Sequence, residues 1–485
     1  MTDRFSTMLR RKLTVDWANK TGPLDLRNHS LGIGGVHSMP APKPVIEGTA
    51  ALKPKIIRIF LQEFFFIYLG QGKYDWTKMD AYMDAVHAMG ADIMASICIK
   101  PKALYPVVDE KIWKPTDIKE WQEVIRAMVL RYSEEKPYVS HWAIANEQNI
   151  GEWGGCPYLI TDPDEYFEYY KITAEPILAL LPDLKGDVKI GGPSYAGGGE
   201  SAAKYLGRFV ELCKKNNIRL DFTCHNMYHD DPEDHRSFTR VIRDELDRHD
   251  PSVELYMTEF NVGIGNEMSL EDKAYDPKRA ASLGASILTL HEDQCLTGTF
   301  QYHLYDQWND PREFSPWYAK SRYMAEHWND IGHRLGLFDL DGKTRPQYFV
   351  YDMLYSMTGQ QIGLLGTDKV LRGIASSSDD GTMSVFLTNF AVHGTPDAVT
   401  QFKFENATDG VYRMNVYRID NEMAAYMKAA SYTKIPTTTS TASYQIPMLR
   451  LPPVESRTTY VHSDFHFDVF TPADSVTLVQ FTKGV

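Results

Sequence analysis

Short apolar runs alternate with amphipathic helical stretches through roughly the first 350 residues, an order that few folds other than repeated β/α units around a parallel sheet can satisfy. Eight runs read as strands: LGIGGVHSM from Leu31, KIIRIFL from Lys55, ADIMASICI from Ala91, YVSHWAIAN from Tyr138, VKIGGPS from Val188, LDFTCHNMY from Leu220, VELYMTEF from Val253 and TGTFQYHLY from Thr297. Helical faces lie between them. Met79, Tyr82, Met83, Val86 and Met89 share one face, with Gly90 as the C-cap, and Ile118, Trp121, Ile125, Met128 and Tyr132 repeat the pattern, as do Tyr205, Leu206, Phe209 and Leu212. Eight such units predict a (β/α)8 TIM barrel of the α/β class over residues 26–355, since that fold needs about 250 residues and tolerates long insertions.

After GLFDLDGKTRPQYF the pattern changes. SSSDDGTMSVFLTNF, GVYRMNVYRID and DSVTLVQFTKGV alternate apolar and polar residues between turns, which predicts an accessory antiparallel β-sandwich over 356–485. Residues 1–25 hold a further strand, RKLTVDWA, that barrel closure does not need and that is expected to join the sandwich. The PTTTSTAS tract at Pro436–Ser443 reads as a polar loop.

A net charge of −13 and the lack of any basic patch longer than RRKL at Arg10–Leu13 argue against nucleic acid as a partner. The longest apolar run, FFFIYL at Phe64–Leu69, is too short to span a bilayer, so no membrane association is expected. Five cysteines without a CxxC pair predict reduced, buried thiols. The first residues lack a signal-type apolar core, which predicts a cytoplasmic protein, or a secreted one if a leader has been removed. The number of subunits stays open, a homo-oligomer included.

In TIM barrels the reactive groups sit at the C-terminal ends of the strands. Glu147 closes the fourth candidate strand in HWAIANEQN and Glu259 closes the seventh in YMTEFN, which brings both acids to one mouth from opposite sides. Glycosidic cleavage with retention needs such a pair: one carboxylic acid protonates the departing oxygen while the other carboxylate attacks the anomeric carbon. Burial and the neighbouring negative charge can keep the first protonated, and hydrogen-bond donors can keep the second ionised. A structural ion-pair role for both acids is the bland alternative. Asn146 weighs against it, because an amide beside the acid can bond the sugar hydroxyl next to the reacting carbon.

The motifs ANEQN and TEFN resemble those of clan A retaining glycoside hydrolases, and GGPS at Gly191–Ser194, DFTCHNMY, GLFDLDGKTRPQYF, DDGTMSVFLTNF and KTGPLDLRNHSLGIGG are similar to glycoside hydrolase family 39, the β-xylosidase and α-L-iduronidase family. That resemblance implies Glu147 as general acid/base, Glu259 as nucleophile, Asn146 as the amide on the neighbouring hydroxyl, Arg58 beneath the nucleophile, and His225 and Tyr228 near it. The chain departs from the family's xylosidases at two places. RIFLQEF on the second strand lacks a histidine, and Gln148 replaces a proline, so the sugar stays open.

His37 and His303 are expected on the pocket wall or as satisfied barrel histidines, and Glu63 and Asp306 either as additional pocket acids or, by preference, as structural hydrogen-bonders. In the aromatic last connection (Trp308, Phe314, Trp317, Tyr318, Trp328), Trp308 is expected to contact substrate, as is Trp153. The segment CHNMYHDDPEDH offers His225, His229 and Asp230 to a metal, yet neighbouring strand residues point oppositely and the donors come from one strand only. The expected function is therefore a retaining, exo-acting glycosidase without metal or organic cofactor, acting on an oligosaccharide or glycoside and first of all on β-D-xylosides. Arabinosides, glucosides and uronides are the alternative substrates; a catalytically silent carbohydrate-binding barrel and a metal-dependent barrel hydrolase are the alternative classes.

Overall fold

A computed structural model describes residues 8–35, 37–265, 267–314, 326–430 and 448–484. The polar loop expected at 436–443 lies outside them. Eight parallel strands close a barrel: His29–Gly32, Ile56–Gln62, Asp92–Cys98, Val139–Ile144, Lys189–Ala196, Phe222–Tyr228, Glu254–Asn261 and Gly298–Tyr302. The last pairs with the first, Thr299 opposite His29 and Gln301 opposite Leu31. All eight candidate strands of the sequence are thereby used.

Each strand is apolar on both faces because one side meets the ring of helices and the other fills the barrel. Ile56, Met94, Ala143, Phe222, Cys224, Tyr256 and Phe300 pack together inside. In IIRIFLQ the period of two therefore sends Ile56, Arg58, Phe60 and Gln62 inward at rising height, and Ile57, Ile59 and Leu61 outward to helices. The helical faces are buried as the periodicity predicts, with Met79, Tyr82, Met83 and Val86 on Thr77–His87 and Trp121, Ile125 and Met128 on Ile118–Val129. All five cysteines are buried and free. Among the described residues no helix is long and apolar enough to cross a membrane.

Of the remaining strands, Tyr68–Gly70 and Lys73–Tyr74 make a small hairpin, and the other nine form one sheet rather than two separate ones. Its order is Glu455–Val461, Gly410–Ile419, Ser475–Lys483, Met383–Asn389, Leu371–Ser377, Gln360–Leu365, Leu9–Pro23, Ala398–Glu405, His466–Thr471. Pairing is antiparallel except where Leu9–Pro23 runs parallel to Ala398–Glu405. The sheet curls until its two halves face each other: Phe404 and Phe481, on strands that are not neighbours, have ring centroids 5.1 Å apart, and Phe467 lies 5.2 Å from Phe481. Trp17, from the N-terminal strand, meets Phe404 edge-on at 5.4 Å and completes this second core.

Helix Pro277–Asp293, buried along most of its length, is the shared wall between barrel and sheet. Gly284 permits the approach, because a Cβ there would stand 2.8 Å from Thr388 Cγ2 and 3.2 Å from Phe386 Cζ. Gly284→Val should therefore lower the urea midpoint by an amount equivalent to about 1–3 kcal/mol through overpacking. An unchanged midpoint in equilibrium unfolding would show that this wall yields.

Candidate active site

Arg58 stands on the second strand, fully buried at the barrel axis. Its Nη1 donates to Glu259 Oε1 at 3.0 Å and to the Thr258 carbonyl at 3.1 Å, and its Nη2 donates to Asn146 Oδ1 at 2.6 Å. One guanidinium thus joins strands two, four and seven. Its plane lies over Phe60, 4.3 Å from the ring centroid.

Glu147 follows the fourth strand in a left-handed backbone conformation, φ 48°, just after Ala145 at φ 66°. Non-glycine residues hold such angles only where surroundings fix them, as here, where the Glu147 N–H donates to the Ser194 carbonyl at 2.7 Å. The turn Gly151–Gly154 then folds back over the acid. A Cβ on Gly154 would fall 2.1 Å from Glu147 Oε2, so only glycine lets that backbone pass. Asn226 Nδ2 donates to Glu147 Oε1 at 2.9 Å and to Asn146 Oδ1 at 3.2 Å, while its own Oδ1 accepts from Thr258 Oγ1 at 2.7 Å.

Glu259 reaches the interior through an irregularity. On the sixth and seventh strands Tyr256 pairs with Cys224 and Met257 with His225, but Asn226 then pairs with Glu259, leaving Thr258 as an extra residue. Strict alternation would have turned Glu259 outward with Met257; the bulge turns it inward opposite Asn226. There Tyr228 donates its hydroxyl hydrogen to Glu259 Oε2 in a short bond, and Arg58 holds the other oxygen.

The two acids are 9% and 5% exposed and line one cavity of about 120 Å³. Burial, reinforced by the Glu259 charge, holds the Glu147 carboxyl well above its ordinary range, against the opposing pull of the Asn226 hydrogen bond and the Arg58 charge. Burial and the Glu259 charge likewise keep Tyr228 a phenol. The site therefore presents a protonated acid, Glu147, beside Glu259, whose two oxygens are each held by a donor. Phe60, Gln62, Gly35 and Tyr302 form further wall; Trp153, Gly155, Ile264, His327 and Trp328 stand around them. Burial and the nearby His333 and His303 lower the His327 pKa to about 4, so its ring is neutral at the wall.

Of the residues singled out in the sequence, Glu147, Glu259, Asn146, Tyr228 and Trp153 line the cavity and Arg58 lies beneath it. Four do not. His225 points away from the barrel axis to helix Pro232–His249, where its Nε2 lies 3.3 Å from Thr239 Oγ1; Phe222, Cys224, Asn226 and Tyr228 have the inward parity, so His225 cannot share it. His37 bends into its own loop, accepting from the Met39 N–H at Nδ1, and does not line the cavity. His303 is buried behind the wall, donating from Nδ1 to the Tyr305 carbonyl at 2.6 Å and meeting Trp328 edge-on at 5.1 Å. Trp308 is 57% exposed and outside the cavity. Trp317 and Tyr318 lie outside the described residues, as does the side chain of Phe314.

Glu63 accepts from the Lys100 N–H at 2.7 Å, and Asp306 from the Gly336 N–H at 2.9 Å and Arg345 at 2.5 Å, both structural uses. The donors of the CHNMYHDDPEDH segment diverge: His229 pairs with Asp234 at 3.1 Å and Asp230 accepts from the Gly263 N–H at 2.9 Å. Among the described residues no three His, Cys, Asp or Glu side chains stand together as metal ligands. Sequence reading missed Asn226, Tyr302, Gln62 and His327. Inward parity with Tyr228 would have found Asn226, and with Arg58 would have found Gln62.

The raised Glu147 pKa carries a stability consequence. Between the ordinary value of 4.5 and its raised folded value, the unfolded chain has released a proton that the folded site retains, so stability falls as pH rises across that window. Glu147→Gln removes the penalty and should raise Tm by roughly 1–4 °C near pH 7.5, with no gain near pH 4. Thermal unfolding at the two pH values measures it, and equal Tm shifts at both would refute it.

The sequence pattern common to the glycosyl hydrolases family 39 matches residues 57–382, two thirds of the chain and both acids with it. A β-xylosidase of Caldicellulosiruptor saccharolyticus is 21% identical over 322 residues, which are 61% of this chain and 59% of that one, so the match spans less than two thirds of that relative. The fold is shared with a monomeric β-xylosidase from Caulobacter crescentus CB15 (20% identity, TM-score 0.71, 98% of this chain and 100% of that one). The GH39 enzyme from Xanthomonas axonopodis pv. citri superposes with TM-score 0.73 at 18% identity over 99% of each chain. A bacterial orthologue of human α-L-iduronidase does so with TM-score 0.68 at 14% identity, over 98% of this chain and 84% of that one. The motifs, the barrel and the matched span agree, and the chain belongs to glycosyl hydrolase family 39.

Proposed function

We propose that the protein is a retaining, exo-acting glycosidase that removes one terminal non-reducing sugar, with β-D-xylosides as its first substrates. The observation that carries this is the unequal treatment of two carboxyl groups in one cavity, Glu147 held protonated and Glu259 held between Arg58 and Tyr228. In the first step Glu259 attacks the anomeric carbon while Glu147 passes its proton to the departing oxygen, leaving a covalent glycosyl-enzyme. In the second, Glu147, now a carboxylate, takes a proton from the water that attacks the same carbon, and Glu259 departs. Asn146 accepts from Arg58 and Asn226 at Oδ1 and donates to the Gly154 carbonyl, which supports its second N–H as the donor to a hydroxyl beside the reacting carbon.

The small cavity supports release of a single terminal unit, since about 120 Å³ is well below the ~300–1,000 Å³ of pockets that hold drug-sized ligands. Xylose is favoured by the matched β-xylosidase; arabinose, glucose and uronic acids are the competing sugars. No metal or organic cofactor takes part in either step. A panel of aryl xyloside, arabinoside, glucoside and iduronide ranks them. Glu259→Gly should lower kcat by on the order of 10³-fold or more, with azide restoring turnover as a glycosyl azide of inverted anomeric configuration. Wild-type-like hydrolysis by that variant would remove Glu259 as nucleophile, and no hydrolysis of any aryl glycoside by the wild type would favour a silent carbohydrate-binding barrel.

A further inference from the structure

The leaving group has its own side of the mouth. Because Glu147 gives up the proton, the departing alcohol must lie against the loop that follows the fourth strand, where Trp153 lines the cavity and is 53% exposed. The long connection after the third strand is fastened to that loop. Glu110 Oε2 accepts from the Glu152 N–H at 2.8 Å, and the Glu110 carbonyl accepts from the Leu159 N–H at 2.7 Å. Lys100, 5% exposed, ties the same two loops from below, donating to the Asp109 carbonyl at 2.7 Å and the Pro157 carbonyl at 2.9 Å with its ammonium near the faces of Tyr105 and Tyr158. The connection after the second strand joins them too, since a Cβ on Gly70 would stand 3.2 Å from that of Ala103.

This fastened surface exposes a set of aliphatic side chains beside the charged Asp109 and Lys111. Leu69, Val107, Val108 and Ile112 are 60%, 57%, 45% and 38% exposed on the connections that follow the second and third barrel strands, at the barrel end where the loop of Trp153 also lies. Scattered exposed apolar residues need no explanation, but four on two adjoining connections offer carbon to whatever lies beside that loop. Aliphatic side chains neither hydrogen-bond a sugar's hydroxyls nor offer it an aromatic face; they do bury alkyl and aryl carbon.

We infer that this rim is the leaving-group site and that the preferred substrates are glycosides of a bulky apolar alcohol, alkyl or aryl, rather than oligosaccharides. The inference rests on the glycosidase reading above and deepens it. The rigid fastening by Glu110 and Lys100 means that the surface exists before substrate arrives, so little ordering opposes binding.

Methyl and octyl β-D-xylosides, and the matching β-D-glucosides, separate the two claims, because the alcohols leave with similar ease and differ only in apolar surface. Octyl below its micellar concentration should exceed methyl in kcat/KM by about tenfold to a hundredfold. The double variant Val107→Ser, Val108→Ser should bring that ratio within about threefold of one while its Tm stays near wild type, as expected for exposed positions. A wild-type ratio near one, or a higher kcat/KM for xylobiose than for octyl xyloside, would overturn the inference and leave the reaction standing. So would a double variant that changes the sedimenting species without altering the ratio, since the rim would then join two copies of the chain. Cleavage of none of these or the aryl glycosides would sink both readings.

Discussion

The Arg58 guanidinium is the point on which the site turns. It is fully buried, and a buried charge is costly unless paired and bonded; here the partners are Glu259, Asn146 and the Thr258 carbonyl. The charge count then constrains the chemistry. One cation shares the interior with two carboxyl groups, and it bonds Glu259 directly while reaching Glu147 only through the Asn146 and Asn226 amides. The carboxyl in contact with the cation is Glu259; the second, Glu147, buried and facing its neighbour's charge, retains its proton. Two identical side chains thus meet different electrostatic surroundings through one asymmetric contact.

Much of this was legible in the sequence, for a physical reason. Barrel strands are buried on both faces and separated by helices of fixed period, so their runs stand out whatever their exact pairing, and all eight were found. Arg58 was identified by resemblance, and the inward parity of Ile56 and Phe60 gives the same answer. The second sheet was legible only as alternation. Alternation reports which residues share a face, not which strand bonds to which, so one curled nine-stranded sheet with a single parallel pair reads the same as two stacked ones.

Where the reading failed, parity or register was at issue. His225 was carried into the pocket by resemblance, although the placement of Tyr228 inside already required Asn226 inside and His225 outside. Glu259 was placed rightly for an incomplete reason: its inward aim depends on the extra residue at Thr258, and a bulge leaves no mark in YMTEFN that simple alternation can read. His37 and Trp308 sit in long connections whose course no local period encodes, while His303 takes the barrel-histidine alternative, buried on the carbonyl of Tyr305 and against the ring of Trp328.

The turn Gly151–Gly154 links the chemistry to the outer surface. Its backbone passes against Glu147 Oε2 and accepts from Asn146 at the Gly154 carbonyl, and it carries Trp153 at the mouth. Glu110 fixes the start of the same turn, and Lys100 holds the loop just beyond it through the Pro157 carbonyl. Displacing this loop would therefore shift Glu147 and Trp153 together. That link gives the buried Lys100 a structural role: by donating to the Asp109 and Pro157 carbonyls it helps set the height of the turn that packs against Glu147.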